Sequence, residues 1–143
     1  MTRLIGGKFR TKVTLVLRGD ALRPEFWTAY FGVPPDFSVR KGELSRSPNG
    51  KLRETPHFWG VWNYRCQSKN IVTVDEGVML LMKALKMPRR DFKKALSDTG
   101  CEAILSIFVD NSDGKNPGHY GQITSDFLAS TGAELNLDVV DPD

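Results

Sequence analysis

Cys101-Glu102-Ala103-Ile104-Leu105-Ser106-Ile107-Phe108-Val109 is apolar at nearly every position. Such a run, rich in β-branched and large apolar side chains, reads as a central strand buried on both faces. A strand of that kind needs a sheet around it and other elements packed against it.

The residues before it supply those elements. Thr73-Val74-Asp75-Glu76 is a capping box, with Thr73 as N-cap and Glu76 three positions on. Asp75 suits the positive end of that helix's dipole. Val78, Leu81, Met82 and Leu85 then make a stripe of helical period. Pro88 is expected to end this helix and start a second, short one, with Phe92, Ala95 and Leu96 inward and Gly100 as terminator. Beyond the strand, Asp110 to Gly118 reads as a turn-rich loop and Tyr120 to Ile123 as a brief strand. Thr124 or Ser125 can cap a helix carrying Phe127 and Leu128, stopped by Gly132. Ala133, Leu135, Leu137 and Val139 alternate with Glu134, Asn136 and Asp138 as a closing strand.

The N-terminal part mirrors this pattern. Thr11 to Arg18 alternates as a strand, and Gly19-Asp20 turns the chain. Pro24 opens a helix with Phe26, Trp27, Tyr30 and Phe31 on its buried side, and Gly32 with Pro34-Pro35 closes it. Phe37 to Lys41 reads as a short strand, Glu43 to Pro56 as a long loop, and His57 to Arg65 as an aromatic-rich strand. The predicted fold is α+β: a mostly antiparallel sheet of about five to six strands with its helices on one face, and strand-helix-strand units at both ends.

The chain has 143 residues, enough for a single domain over 1–143 with a core of its own. Its start lacks an apolar segment, no apolar run approaches membrane-spanning length, and its two cysteines cannot form a disulfide framework. These features lead us to expect a cytoplasmic protein with no membrane partner. The net charge of +3 conceals a division: residues 1–94 carry 19 Lys+Arg against 8 Asp+Glu, whereas residues 95–143 carry one base against nine acids. One compact domain forces both parts into contact, where they are expected to neutralise each other, and a surface divided between the two signs also suits steered association.

Several stretches together resemble a bacterial family known only as domain of unknown function 4279. They are Leu17-Arg18-Gly19-Asp20-Ala21-Leu22, Pro24-Glu25-Phe26, Phe31-Gly32-Val33-Pro34 and Arg40-Lys41-Gly42-Glu43. Phe58-Trp59-Gly60-Val61-Trp62, Asp126-Phe127-Leu128-Ala129 and Gly132-Ala133-Glu134-Leu135-Asn136-Leu137-Asp138-Val139 complete the set. Arg23 and Asn136 depart from the family's usual polar cap and Asp. The resemblance implies an α+β fold and a bacterial source but no reaction; some members look like immunity-type proteins that neutralise a partner toxin.

Signatures of chemistry are sparse. His57, His119, Cys66 and Cys101 lack the short paired spacing of a zinc site, so no metal or other cofactor is expected. Asp110-Asn111-Ser112-Asp113-Gly114 suggests a calcium loop, but Lys115 and Gly121 occupy the places that need Gly and Glu, so a turn is expected. No nucleophile elbow or dinucleotide loop is present. Basic residues are plentiful: Lys83, Lys86, Arg89, Arg90, Lys93 and Lys94 on the helical pair, and Arg40, Lys41, Arg46, Lys51 and Arg53 around the second strand and its loop. Arg40, Lys41, Trp59, Trp62 and Arg65 are the candidate ligand-binding residues, because a strand pair could gather them beside the long loop. A non-enzymatic protein-binding module is therefore expected. A nucleic-acid or small-anion binder, with bases tracking phosphates and tryptophans stacking, is one alternative; an enzyme of unknown reaction is the other.

Overall fold

The computed structural model describes residues 9–44, 57–70 and 72–142. Most of the expected long loop, with Arg46, Lys51 and Arg53, lies outside the described residues. In chain order the elements are β1 (Thr11–Gly19), α1 (Pro24–Phe31), β2 (Phe37–Val39), β3 (Gly60–Ser68), α2 (Val74–Leu85), α3 (Phe92–Thr99), β4 (Glu102–Asp110), α4 (Gln122–Thr131) and β5 (Glu134–Val140). The strands form a sheet in the order β2-β3-β1-β4-β5. Every neighbouring pair is antiparallel except β4 and β5, which run parallel because α4 carries the chain back between them.

Strand alternation decides where the helices sit. Val13, Leu15 and Leu17 of β1, Trp62 of β3, and Ala103, Leu105, Ile107 and Val109 of β4 point to one face and are buried. Trp27 and Phe31 of α1, Val78, Leu81 and Leu85 of α2, Phe92 and Leu96 of α3 and Phe127 of α4 join them in one core. All four helices thus cover the same face, and each large side chain so buried contributes about 1.5–3 kcal/mol. Gly77 lets α2 approach β1: a Cβ there would fall 2.8 Å from Val13 Cγ2. No described helix is long and apolar enough to cross a membrane.

Four local expectations are corrected. β1, not the 101–109 run, is the middle strand, and β4 buries only one face, since Ile104, Ser106 and Phe108 are half-buried. An apolar run cannot report whether anything covers its second side. No strand forms across Tyr120–Ile123, because α4 already starts at Gln122; the sheet has five described strands. β3 begins at Gly60, three residues later than expected. α2 ends at Leu85, because its C-cap Lys86 with a left-handed φ of 56° stops the helix before Pro88, and α3 starts only at Phe92.

The Asp110–Gly114 loop is the expected turn, and a distant arginine closes it. Arg10 is 7% exposed and donates through Nη2 to both carboxylate oxygens of Asp113, at 2.8 and 2.9 Å. Asp110 Oδ1 accepts from the Ser112 amide, and Asn116 Nδ2 reaches the Val72 carbonyl. The buried guanidinium supplies the positive charge that these carboxylates would otherwise lack.

Candidate functional site

The five candidate residues do not share one concavity. Trp62 is fully buried in the helix-covered core, its ring 5.2 Å from that of Phe31 and its Nε1–H donating to Thr28 Oγ1 at 3.0 Å. Odd-numbered residues of β3 face the other way, so Trp59, just before the strand, and Arg65 lie on the helix-free face. Arg40 and Lys41 follow β2 and form ion pairs with Glu25 of α1 and Asp20 of the β1–α1 turn. The period of two separates neighbouring tryptophans onto opposite sides of the sheet, which corrects the expectation that both line one site.

What the structure does gather is the helix-free face itself. Register places its side chains in rows across the strands: Phe37, Asn63, Val16, Ile104 and Glu134 in one, and Gln67, Lys12, Phe108 and Asp138 in another. Val16, Val61, Ile104 and Phe108 stand half-buried through the middle. Around them the charges are sorted. Lys12, Arg18 and Arg65 belong to β1 and β3, while Glu102, Glu134 and Asp138 belong to β4 and β5. Arg18 pairs with Glu102 at the seam and lies 5.2 Å from the centroid of the Trp59 ring. Lys12 sits over the Phe108 ring, and Arg65 Nε reaches Thr14 Oγ1. The chain-level division between basic and acidic halves reappears here as a left–right division of one surface.

Two details of this face carry chemical meaning. Asn63 Oδ1 is buried and has no hydrogen-bond partner among the described residues, an acceptor left for a donor from elsewhere. Near one edge, Trp59 (39% exposed) and Phe37 (37%) present aromatic surface, with the Phe37 ring 5.7 Å from that of His57. Antiparallel sheets that face water usually carry polar side chains there, so apolar residues at the centre mark a surface suited to contact.

Among the described residues no three His, Cys, Asp or Glu side chains gather to hold a metal. Cys66 is free and half-buried, and burial, with Asp36 nearby, pushes its thiol above the ordinary value, away from the reactive thiolate. The helical basic run is also divided: Arg89 spends its guanidinium on the Leu85 and Tyr30 carbonyls, and Lys94 on Asp98, leaving Lys83, Lys86, Arg90 and Lys93 exposed. Sequence reasoning missed Arg10 and the cross-helix contact of Asp75, whose partners lie about 100 and 49 positions away in sequence; no local pattern signals such contacts.

No curated protein and no solved structure matches the chain significantly. A family model described as "Domain of unknown function (DUF4279)" matches residues 9–142, from just before β1 to just after β5. The chain belongs to the DUF4279 family.

Proposed function

We propose that this domain is a non-enzymatic protein-binding module that docks through its helix-free sheet face. The observation that carries the reading is the sorted charge on that face: bases on β1 and β3, acids on β4 and β5, and half-buried Val16, Val61, Ile104 and Phe108 between them. A surface with its two signs set apart orients an approaching partner before contact, and the apolar centre supplies the area that contact then buries. Trp59 and Arg65 contribute from the candidate set, and the unpartnered Asn63 Oδ1 adds an acceptor. The partner proposed within this reading is a toxin that the domain neutralises, which the likeness of some family members to immunity-type proteins supports.

Affinity purification from the native host tests this. Wild-type protein is expected to retain one defined protein, and the Ile104→Lys variant to release it while keeping the wild-type circular dichroism and melting temperature. A retained protein that ignores the substitution, or none with either form, would reject the reading. A nucleic-acid ligand is the second reading, favoured by exposed Lys83, Lys86, Arg90 and Lys93; it predicts gel-shift affinity that falls steeply with salt.

A further inference from the structure

The bases of the helix-free face, Lys12, Arg18 and Arg65, stand on β1 and β3, and its acids, Glu102, Glu134 and Asp138, on β4 and β5. The boundary between the two signs therefore runs along the strands, between β1 and β4. A surface divided in this way is complementary to its own image turned about a two-fold axis that follows the boundary. That rotation lays β1 over β4 of a second copy and β3 over its β5, and the reverse on the other side of the axis. A two-fold axis set across the strands would lay bases over bases instead. The charges select the first arrangement.

Strand register says which side chains then meet. Across the seam Arg18 neighbours Glu102, Val16 neighbours Ile104 and Thr14 neighbours Ser106. The same combinations recur between copies, because the rotation exchanges β1 with β4 and keeps position along the strands. Arg18 and Glu102 of the two copies close into a ring of alternating charge, and Val16 comes over Ile104 of the second copy. Farther out, Arg65 stands beside Thr14, and Asn136 beside Ser106, so Arg65 comes over Asn136 of the second copy. Glu134 and Asp138 flank Asn136 on the same side of β5. The guanidinium of Arg65, exposed in the single chain, thus comes between two carboxylates. Lys12 comes over Phe108 of the second copy, beside which Asp138 stands. β2 alone overhangs.

Size and shape agree with such a pair. Sheets packed face to face lie about 10 Å apart, with their strands within about 30° of each other. β1, β3 and β4 are nine residues long and β5 seven. At these lengths and the usual strand spacing, the four facing strands cover roughly 500–600 Å² in projection. Side-chain relief makes the accessible area larger, within reach of the about 800 Å² per partner that a stable pair buries. We propose that the free protein forms a two-fold dimer in which the helix-free faces of two copies pack together, basic half on acidic half. The inference rests on the reading of this face as a protein-contact surface and adds an occupant to it, which a toxin has to displace in order to dock.

Light scattering coupled to size exclusion on the full chain tests the dimer, with charge variants to locate it. Wild type is expected to run at twice its 16.0 kDa chain mass at micromolar concentration and to dissociate more readily as salt screens the exposed pairs. Glu134→Lys with Asp138→Lys makes the face wholly basic apart from Glu102, and Lys12→Glu with Arg65→Glu makes it wholly acidic apart from Arg18. Each double variant alone is expected to run as a single chain, and an equimolar mixture of the two to return to the dimer mass. Circular dichroism checks that both stay folded; should either unfold, Glu134→Lys and Lys12→Glu singly carry the same comparison. Wild type at the single-chain mass overturns the proposal, as do variants that stay dimeric or a mixture that stays monomeric. A single chain that still retains a host protein sinks the dimer and leaves the docking reading standing, whereas a dimer that retains none does the opposite.

Discussion

The Asp75 carboxylate, in the first turn of α2, closes the N-terminus of α4 through Thr124, whose hydroxyl lies 2.6 Å from Oδ1. The same carboxylate accepts from the amides of Gly121 at 3.0 Å, Thr124 at 3.2 Å and Ile123 at 3.3 Å. The first amides of a helix have no partner within it. Here the N-cap of α4 is Gly121, which has no side chain to cap with, and a residue on another helix serves instead. Asp75 therefore joins two helices rather than serving only the dipole of its own.

Replacing Asp75 with Ala is expected to cost about 1–2 kcal/mol at neutral pH, the usual range for a lost cap. Burial pushes the Asp75 carboxyl up, but the hydrogen bonds from Thr124, Gly121 and Ile123 outweigh it and hold the group below the ordinary aspartate value. A group held low when folded stabilises fully above its unfolded value, about 3.9, and loses that contribution as pH falls through the folded value. Urea unfolding of wild type and Asp75→Ala should thus differ most near pH 7, and the difference should shrink as the pH falls through the folded value. A difference that stays constant with pH would contradict the role assigned to the carboxylate.

Gly77→Ala provides a test of how α2 lies on the sheet. Helix propensity alone favours alanine by about 1 kcal/mol. The new Cβ would meet Val13 Cγ2 at 2.8 Å, inside the packed core, and overpacking there costs about 1–3 kcal/mol. The expected outcome is a lower melting temperature, partly restored when Val13 is also cut to Ala. Stabilisation by the single change would mean that α2 sits farther from β1.

Arg10 binds the start of the chain to the loop after β4. Arg10→Met keeps much of its length but removes the charge that pairs with Asp113, and is expected to lower the melting temperature at neutral pH. Asp113 is held low by the Lys115 amide, despite some opposing burial, and by Arg10. Its contribution is therefore present at neutral pH and fades on acidification below about pH 4. Equilibrium unfolding at pH 7 and pH 3 should show the Arg10→Met deficit shrinking at the lower pH.

Trp62→Phe and Trp27→Phe remove the same atoms from two fully buried rings. Only Trp62 makes a hydrogen bond through its indole nitrogen, to Thr28. Trp62→Phe is therefore expected to be the more destabilising by about 1 kcal/mol, read from paired melting curves. Equal losses would show that Trp27 Nε1–H has an acceptor in solution.

Much of the architecture was legible along the chain because it rests on contacts between near neighbours. The Thr73–Glu76 capping box forms with both of its hydrogen bonds, Gly32, Gly100 and Gly132 end their helices in the left-handed conformation, and β1 and β5 alternate as read. Family membership followed from the same short stretches. The site was less legible. Trp59 and Trp62 look alike in sequence, and only pairing with β1 and β2 put one against Phe31 and the other beside Arg18.

Periodicity, capping residues and glycine stops are local, so the sequence by itself determined which segments become strands and helices and that all helices bury one stripe each. It did not determine that β1 lies in the middle, that Asp75 caps another helix, that Arg10 anchors a loop, or which sheet face is left without helices. Those outcomes depend on contacts between residues tens of positions apart, where many pairings satisfy the same hydrophobic pattern and only the packed tertiary structure selects one.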